Sequence, residues 1–424
     1  MIDEAVGPQR ALLVSVHIKG EDLSLAEESL KELENLALTL DFEVVGQVIQ
    51  SRSSPDSRTF LGQGKLEEIQ QLAESAEANL LIVDHELSPN QGKNLEREMG
   101  FMVIDRTQLI LEIFFDHAKT PEAKAQVELA QLKYMLPRLV GMWAHLDREK
   151  GGIGASRGTG EKQINIDRTI IRNRIAKLEK ILRQAQKDRG VQSKSRRDCY
   201  QVAIVGYTNA GKTTLMHELS GLNQTGENKL FATLESRTRQ LEGFSNPDLL
   251  LSDTVGFIQN LPHGLVASFR STLSVVREAD LLMHVADANS PILSQHLETT
   301  FNVLGEIGAG EVPQILVFNK ADLVTDPERL VWLKSRYPGS IAVSSFDREG
   351  LAQLLKLIQG HFAKNFISQE LLIPYNRSEW VNRVHQLAQV KSQAYEEEGV
   401  RITYRTTAAN QKMLESLMRN QENK

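Results

Sequence analysis

The amino-acid sequence predicts an α/β protein with several domains, and two patterns carry this prediction. Short apolar segments alternate with amphipathic segments over residues 10–105, and the same alternation returns from residue 200 onward. Such alternation is typical of β-strands joined by helices into a mostly parallel sheet. Between these two regions, apolar residues recur every three or four positions, which predicts long helices that pack on each other.

Four domains follow from these patterns. Residues 1–105 are predicted to form a small α/β domain, and residues 106–190 a long helical hairpin. Residues 198–363 are predicted to form an α/β domain with a mostly parallel sheet and helices on both faces. Residues 364–424 are predicted to form a small α+β domain. A chain of 424 residues has room for about two to four domains of ordinary size.

The hairpin is predicted from an apolar seam on each of its two helices. Between the helices lies a ten-residue stretch, residues 151–160, that contains five glycines. Because each glycine disfavours a helix by about 1 kcal/mol, this stretch is predicted to be a non-helical tip. Pro137 interrupts the first seam and is predicted to kink that helix. The seam residues are Ala125, Leu129, Leu132, Leu136, Leu139, Trp143 and Leu146 in the first helix and Ile171, Ile175, Leu178 and Leu182 in the second.

Charge is distributed unevenly along the chain. The net charge is −6, so the protein as a whole does not resemble a nucleic-acid-binding protein. Residues 151–200 nevertheless carry thirteen Lys or Arg against five Asp or Glu, a local excess of +8. This excess suggests a polyanionic partner for the segment, although from charge alone a solvated charged helix is an equally good interpretation.

Composition also bears on the compartment. The apolar runs are far shorter than the roughly 20 residues that cross a bilayer, and the N-terminus has no apolar signal core. The single cysteine, Cys199, excludes an internal disulfide and a multi-cysteine metal site. We therefore expect a cytoplasmic protein with no integral membrane segment.

The strongest motif is a glycine-rich segment between an apolar strand and a helix. Residues 206–213 match G-x-x-x-x-G-K-[ST], which is a phosphate-binding loop in this context. Backbone N–H groups and the N-terminus of the following helix favour negative charge there. Lys212 is expected to contact the β- and γ-phosphates, and Thr213 to ligate Mg²⁺. The predicted phosphate-binding residues are Gly206, Tyr207, Thr208, Asn209, Ala210, Gly211, Lys212, Thr213 and Thr214.

Two further segments predict that the base is guanine. Asn319, Lys320 and Asp322 follow an apolar strand, at the end where α/β sheets place their ligands. The carboxylate of Asp322 can accept from both N–H donors of guanine, whereas adenine would leave it buried and unpaired. Ser344 and Ser345 follow the next predicted strand and suit a loop behind the base.

Two segments between these motifs suit the γ-phosphate. Asp253 follows a predicted strand and can hold the Mg²⁺ shell, and the N–H of Gly256 can bond the γ-phosphate. Upstream lie Phe231, Ala232 and Thr233, of which Thr233 is the candidate switch threonine that completes Mg²⁺ coordination only with a triphosphate. The predicted Mg²⁺ ligands are Thr213, Thr233 and Asp253, and the predicted catalytic groups are Lys212, Thr233 and Gly256. The sequence therefore predicts a GTP-binding and GTP-hydrolysing protein.

Two positions in these motifs bear on mechanism. In Ras-like proteins a glutamine after the DxxG glycine orients the attacking water, and this chain has Phe257 there. Because phenylalanine cannot hydrogen-bond water, hydrolysis is expected to be slow and to depend on a partner; Gln259 is a less favoured substitute. Asn209 resembles the asparagine of potassium-stimulated GTPases, which raises K⁺ as an activating ion, although a loop-stabilising role is favoured.

These motifs together resemble the HflX family of the Obg–HflX superfamily. The resemblance lies in residues 206–213, 230–234 and 253–258, and residues 60–65 are similar to a family signature in the N-terminal domain. The hairpin with its glycine-rich tip also matches, so the resemblance covers nearly the whole chain. The tip and residues 234–239 depart from the usual family pattern, which leaves open a divergent paralogue with a different ribosomal task.

The resemblance implies a GTPase that binds the large ribosomal subunit in its GTP state and is stimulated by the ribosome. It also implies splitting or rescue of stalled ribosomes under stress, by a chain that is monomeric off the ribosome. The hairpin tip would reach ribosomal RNA, in agreement with its positive charge and with glycines that permit close backbone approach. The expected RNA contacts are Gly154, Arg157, Gly158, Arg168 and Arg172.

Two other functions stay open. One is RNA remodelling driven by a second nucleotide site in the N-terminal domain, but residues 62–65 are too short for a second phosphate loop. The other is a GTP-dependent scaffold that sequesters a protein partner without turnover, which Phe257 would permit. Stimulation of hydrolysis by a partner separates the scaffold from the ribosomal factor.

Overall fold

The fold contains a four-stranded, a six-stranded and a three-stranded sheet. The computed structural model describes residues 9–139, 159–193, 199–221, 230–231, 237–241, 244, 247–259 and 273–422. Within these ranges, no helix is both long enough and apolar enough to cross a membrane.

The four-stranded sheet belongs to the N-terminal part of the chain. Its elements are β1 (Arg10–Ile18), α1 (Leu23–Thr39), β2 (Glu43–Arg52), α2 (Gln63–Ser75), β3 (Leu80–Val83), α3 (Pro89–Met99), β4 (Met102–Asp105) and α4 (Arg106–His117). The strands are parallel, as the sequence predicted, and their order is β2-β1-β3-β4. Because successive strand residues point to opposite sides, Leu12 and Val14 pack with α2 and α3, whereas Ala11 and Leu13 pack with α1 and α4.

In the described part of the chain that follows this sheet lie the helices α5 (Pro121–Met135) and α6 (Thr159–Ser193). They pack through part of the predicted seam, which confirms that part of the prediction. The seam residues that meet are Ala125, Leu129, Leu178 and Leu182, with Leu132 and Ile175 packed against them. Ion pairs of Arg174 with Glu128 (2.6 Å) and of Lys133 with Glu179 (2.9 Å) flank the seam.

The end of α5 follows the sequence prediction, whereas the bounds of α6 differ from it. Helix α5 ends at Met135, and Pro137, which lacks the backbone N–H that would continue the helical hydrogen bonds, interrupts the first seam as predicted. Leu136, between them, still has helical φ and ψ. Helix α6 begins at Thr159, inside the stretch predicted to be non-helical, and ends at Ser193, beyond the predicted limit of residue 190. The remainder of the predicted tip lies outside the described residues.

The six-stranded sheet follows in the chain. Its elements are β5 (Cys199–Gly206), α7 (Lys212–Leu219), β6 (Arg237–Gln240), β7 (Asp248–Asp253), α8 (Ser274–Arg277), β8 (Leu281–Asp287), α9 (Leu293–Glu306), β9 (Gln314–Asn319), α10 (Pro327–Arg336), β10 (Ile341–Ala342) and α11 (Arg348–Ala363). The strand order is β10-β9-β8-β5-β7-β6. All neighbouring strands are parallel except the edge strand β6, which is antiparallel to β7.

The C-terminal region is a small α+β unit. It consists of β11 (Phe366–Ile373), α12 (Glu379–Leu387), β12 (Gln389–Glu396), β13 (Gly399–Thr407) and α13 (Ala408–Glu422). The three strands are antiparallel in the order β11-β13-β12. Alternate residues of β13, among them Ile402 and Tyr404, pack with Val384 of α12 and Leu414 of α13.

The first two sheets share one apolar cluster at their contact. From the N-terminal side, the ring of Phe114 in α4 packs edge-on against Phe231, with 4.7 Å between ring centroids. The Nδ1 atom of His117 lies 3.0 Å from the carbonyl oxygen of Phe231. Phe257 and Ile258 belong to the same cluster. Segments predicted to sense the γ-phosphate therefore pack directly on the N-terminal region.

Candidate nucleotide-binding site

The predicted phosphate loop connects β5 to α7, and two of its glycines have conformations that a side chain would not permit. Gly206 has φ +146°, and a Cβ atom there would lie 2.0 Å from the carbonyl oxygen of Val285 in β8. Gly211 has φ +87°, and a Cβ atom there would lie 2.2 Å from Nδ2 of Asn319. The loop therefore passes close to the ends of β8 and β9, which only glycine allows.

Lys212 is the first residue of α7, and its ammonium group is buried. Its Nζ atom donates to the carbonyl oxygen of Tyr207 at 2.7 Å. Burial lowers the pKa of Lys212 to about 8, and the nearby carboxylate of Asp253 only partly opposes this. A buried cation that is held by a neutral carbonyl gains free energy from an added anion. The environment of Lys212 thus suits a phosphate group.

Two oxygen atoms suit the predicted magnesium ion. Thr213 Oγ1 donates to Asp253 Oδ2 at 2.7 Å. Asp253 is the last residue of β7 and is fully buried, and its other carboxylate oxygen accepts from the N–H of Thr254. A hydroxyl and a carboxylate are hard oxygen ligands of the type that Mg²⁺ prefers. The third predicted ligand, Thr233, lies outside the described residues, as does Ala232.

The DxxG segment is fastened to the phosphate loop by backbone hydrogen bonds. Thr208 N–H donates to the carbonyl oxygen of Phe257 at 2.7 Å, and Phe257 N–H donates to that of Gly206 at 3.1 Å. A Cβ atom on Gly256 would lie 2.9 Å from Lys212 Nζ and 3.0 Å from the Cα atom of Thr208. Gly256 therefore lies against the loop, where its N–H is predicted to meet the γ-phosphate.

Phe257 lies where Ras-like proteins have their glutamine, and its side chain is turned away from the loop. Only 1% of Phe257 is exposed, and its ring packs in the apolar cluster with Phe231 and Ile258. The ring therefore neither hydrogen-bonds nor reaches solvent. The backbone N–H of Gln259 donates to the hydroxyl oxygen of Tyr207 at 2.8 Å.

The segments predicted to bind guanine meet at the ends of β9 and β10. Asn319 Nδ2 donates to the carbonyl oxygen of Ala210 at 2.9 Å, and Ser345 Oγ donates to Asn319 Oδ1 at 3.1 Å. Ser344 is also buried. The Asn319 side chain thus joins the phosphate loop to the serine-containing loop. Asp322 lies in a short 3-10 turn (Ala321–Leu323), and its carboxylate is exposed.

Lys320 adopts a left-handed backbone conformation, with φ +58°. Its Nζ atom forms an ion pair of 2.8 Å with Asp287, the last residue of β8. The sequence motifs did not include Asp287. The available signal was its position at the end of an apolar strand, next to the other strand ends that carry the site.

Some predicted residues lie elsewhere. The side chain of Tyr207 is directed into the contact with the N-terminal region, and Phe231 lies in the apolar cluster there. Arg168 and Arg172 lie on α6, with Arg168 half-buried and Arg172 exposed. Gly154, Arg157 and Gly158 are outside the described residues. Asn209 has φ +56° within the phosphate loop.

Loops from several neighbouring strands thus converge on one edge of a parallel sheet, with a buried lysine, an aspartate and a glycine facing the same loop. This is the arrangement of a P-loop GTPase, and the fold and the site together assign the chain to that class of protein.

Three family models match consecutive parts of the chain. One described as GTP-binding GTPase N-terminal matches residues 27–115, and one described as GTP-binding GTPase Middle Region matches residues 117–196. A third, described as 50S ribosome-binding GTPase, matches residues 201–320.

Individual proteins are similar over most of their length. A solved structure of a GTP-binding protein from the archaeon Sulfolobus solfataricus in complex with GDP is 27% identical, covering 83% of this chain and 98% of that one, with a TM-score of 0.44. A GTPase HflX of Caldanaerobacter subterraneus subsp. tengcongensis is 41% identical over 94% of this chain and 91% of its own length. A GTPase HflX of Escherichia coli K12 is 38% identical, with coverage of 94% and 93%. By these two sequence relatives, the chain belongs to the HflX family of GTPases.

Proposed function

We propose that this GTPase binds the large ribosomal subunit in its GTP state and hydrolyses GTP when the ribosome stimulates it. We further propose that it splits or rescues stalled ribosomes under stress, as a cytoplasmic protein that is monomeric off the ribosome. The observation that carries the proposal is the burial of Phe257. With a buried phenylalanine in place of the water-orienting glutamine, efficient hydrolysis requires a group from a partner. The family model described as 50S ribosome-binding GTPase supports a ribosomal partner.

The predicted roles of the site residues follow the same proposal. Lys212, Gly256 and Thr233 stabilise the transferring γ-phosphoryl group, and Thr213, Asp253 and Thr233 hold Mg²⁺. When bound, Mg²⁺ neutralises charge that develops on the phosphate oxygens. The remaining predicted nucleotide contacts lie in the phosphate loop, the Phe231–Ala232 segment and the base loops. In the base loops they are Asn319, Lys320, Asp322, Ser344 and Ser345.

The proposed RNA contact involves α6 and the tip that precedes it. Arg168 and Arg172 lie on the N-terminal half of α6. In the sequence they follow the predicted tip residues Gly154, Arg157 and Gly158. The local excess of +8 over residues 151–200 supports a contact with RNA phosphates, because each neutralised phosphate releases counterions. Binding to the large subunit should therefore weaken as salt concentration rises.

The experiment measures GTP hydrolysis by the full chain with and without purified large ribosomal subunits, in K⁺ and in Na⁺ buffers. We expect strong stimulation by the subunits and its loss in Asp322→Asn, which replaces one of the two oxygens that accept from guanine by an NH₂ donor. Asp326→Asn is the matched control, because it lies in the same region and asparagine retains the helix cap that Asp326 forms with Glu328 N–H.

The outcomes separate the candidate functions. Absence of stimulation would contradict the ribosomal proposal and favour the GTP-dependent scaffold. Equal rates in the two buffers would remove K⁺ as an activating ion and leave Asn209 with a role in loop conformation.

A further inference from the structure

The side chain of Tyr207 has a position that its place in the phosphate loop does not predict. Its backbone carbonyl accepts from Lys212, but its ring leaves the loop and is almost fully buried, with 4% exposed. The ring stacks on the imidazole of His296 in α9, with 3.7 Å between centroids and 15° between planes. Because the ring is fixed by this stacking, only the direction of the hydroxyl O–H bond remains variable. That direction depends on the neighbouring hydrogen-bond partners.

The hydroxyl of Tyr207 takes part in two hydrogen bonds that join two distant parts of the chain. It donates to Glu32 Oε2 on α1, at 3.1 Å. Its oxygen accepts the backbone N–H of Gln259 at 2.8 Å. Because a hydroxyl has a single proton, donation to Glu32 turns a lone pair toward Gln259. Burial raises the pKa of Tyr207, which keeps this proton in place.

Glu32 is itself held by a buried charge cluster in the N-terminal region. Arg106, the first residue of α4, donates to Glu32 Oε2 and forms a 2.6 Å ion pair with Asp84. Arg106 is 1% exposed and Asp84 is 2% exposed. Buried charged groups with several partners have little freedom to move, since loss of any partner leaves an uncompensated charge. The acceptor for the Tyr207 hydroxyl is therefore fixed in place by α1 and α4.

Gln259 follows Gly256 and lies two residues after Phe257, the residue whose backbone is hydrogen-bonded to the phosphate loop. The bond from Gln259 N–H to Tyr207 adds a further point of attachment at the C-terminal side of this segment. With Phe257 turned into the core, the backbone of this segment is what faces the phosphate loop. Its position therefore matters more for hydrolysis than in a protein where a flexible glutamine can adjust.

We propose that Tyr207 is a positioning residue for GTP hydrolysis. Its hydroxyl, oriented by Glu32, holds the backbone at Gln259 and with it the position of Gly256 beside Lys212. The N-terminal region thereby sets the geometry of the γ-phosphate-facing segment through a chain of hydrogen bonds that runs from Arg106 through Glu32 and Tyr207 to Gln259. This inference rests on the GTPase activity alone and not on the proposed ribosomal role.

The test begins with Tyr207→Phe, which keeps the ring on His296 and removes only the hydroxyl. We expect basal kcat to fall by about tenfold, the size of one positioned hydrogen bond. KM for GTP should change by less than about twofold, since backbone N–H groups hold the phosphates. Amide hydrogen exchange at Gln259 should become faster, because its acceptor is gone. Tyr404→Phe is the matched control: that hydroxyl also bonds a side-chain oxygen, Gln411 Oε1 at 3.1 Å, but within the C-terminal unit.

Glu32 supplies an independent variant. Glu32→Ala should lower kcat and speed exchange at Gln259, whereas Glu32→Gln should recover most of the loss. Recovery is expected because Tyr207 and Arg106 donate to the same oxygen of Glu32, and an amide oxygen can replace it. The double variant with Tyr207→Phe and Glu32→Ala should be no slower than the slower single variant, because both break one chain of bonds.

Several results would overturn the proposal. An unchanged kcat and unchanged exchange at Gln259 in Tyr207→Phe would do so, as would an equal loss in Tyr404→Phe. Fully additive losses in the double variant would show that the two residues act separately. If Tyr207→Phe does not fold, the decision passes to the Glu32 pair: equal behaviour of the alanine and glutamine variants would reject the proposal.

Discussion

The N-terminal sheet and the sheet of the GTPase site are both mostly parallel and covered by helices. They differ in the charged groups at the carboxyl ends of their strands. In the N-terminal sheet, Asp84 follows β3 and Asp105 ends β4. Arg106 pairs with Asp84 at 2.6 Å, and Arg138 with Asp105 at 3.3 Å. The strand ends of this sheet are closed by ion pairs within the chain.

In the GTPase sheet one strand end is also closed by an ion pair, that of Asp287 with Lys320, but the edge beside the phosphate loop is built from glycines and a lysine. Gly206 and Gly211 leave space that a side chain would fill, and the buried ammonium of Lys212 donates to a neutral carbonyl oxygen. Its lowered pKa records the free energy that this burial costs. One parallel sheet thus satisfies its own charges at the strand ends, whereas the other retains a charge that a phosphate can satisfy. The difference arises from a few side chains and not from the fold.

The largest effect is expected from a substitution that removes the ion pairs at the strand ends of the N-terminal sheet. Arg106→Met leaves the carboxylates of Glu32 and Asp84 buried without their cation. The free energy of unfolding should fall by about 3–5 kcal/mol, as measured by chemical denaturation. The control is Arg174→Met, which removes an arginine from a surface ion pair with Glu128. It should cost less than about 1 kcal/mol, and equal losses in the two variants would contradict the comparison.

The next prediction concerns Lys212 and separates activity from stability. Lys212→Met should slow GTP hydrolysis by about 10²- to 10³-fold, since it removes a cation from the transition state. The free energy of unfolding should not fall at neutral pH, because the variant no longer buries a charge. Hydrolysis assays and denaturation on the same preparations test both statements. A large loss of stability would contradict the comparison, because it would show that contacts within the chain already stabilise the charge of Lys212.

The pH dependence of stability also tests whether burial of the Lys212 charge costs free energy. The pKa of Lys212 is about 8 in the folded chain and 10.5 in its ordinary environment. Between these values the unfolded chain binds more protons, so wild-type stability should rise with pH by up to about 1.4 kcal/mol per pH unit relative to Lys212→Met. Below pH 8 the difference should be constant. Parallel stability profiles of the two proteins across this window would contradict the assignment.

The smallest effect is expected on GTP binding, when a glycine of each sheet region is replaced by alanine. Gly211→Ala places a Cβ atom 2.2 Å from Asn319 Nδ2 at φ +87° and should weaken GTP binding by about tenfold or more. Gly92→Ala, in α3 of the N-terminal region, meets nothing within 4 Å. It should leave GTP binding unchanged and raise the free energy of unfolding by about 0.5–1 kcal/mol. Weaker GTP binding in Gly92→Ala would show that the two regions are less distinct than their geometry indicates.

Much of the fold was predictable because it depends on local patterns. Buried strands such as Leu80–Val83 are short apolar runs, and the phosphate loop is one contiguous segment between a strand and a helix. The end of α5 at Met135 was also predictable, because Pro137 interrupts its apolar seam. The bounds of α6 were less predictable. Helix α6 includes residues that the glycine content had predicted to be non-helical.

By itself the sequence determined the class of fold, the order of the nucleotide motifs and the replacement of a glutamine by Phe257. These depend on residues that are close together in the chain, where spacing and residue type carry the physical information. Only the tertiary structure decided that the Phe257 ring is buried, that Asn319 joins two loops, and that the Tyr207 hydroxyl bonds Glu32. The last contact joins residues 175 positions apart. No local pattern encodes such a pair, because it forms only when the two sheets pack against each other.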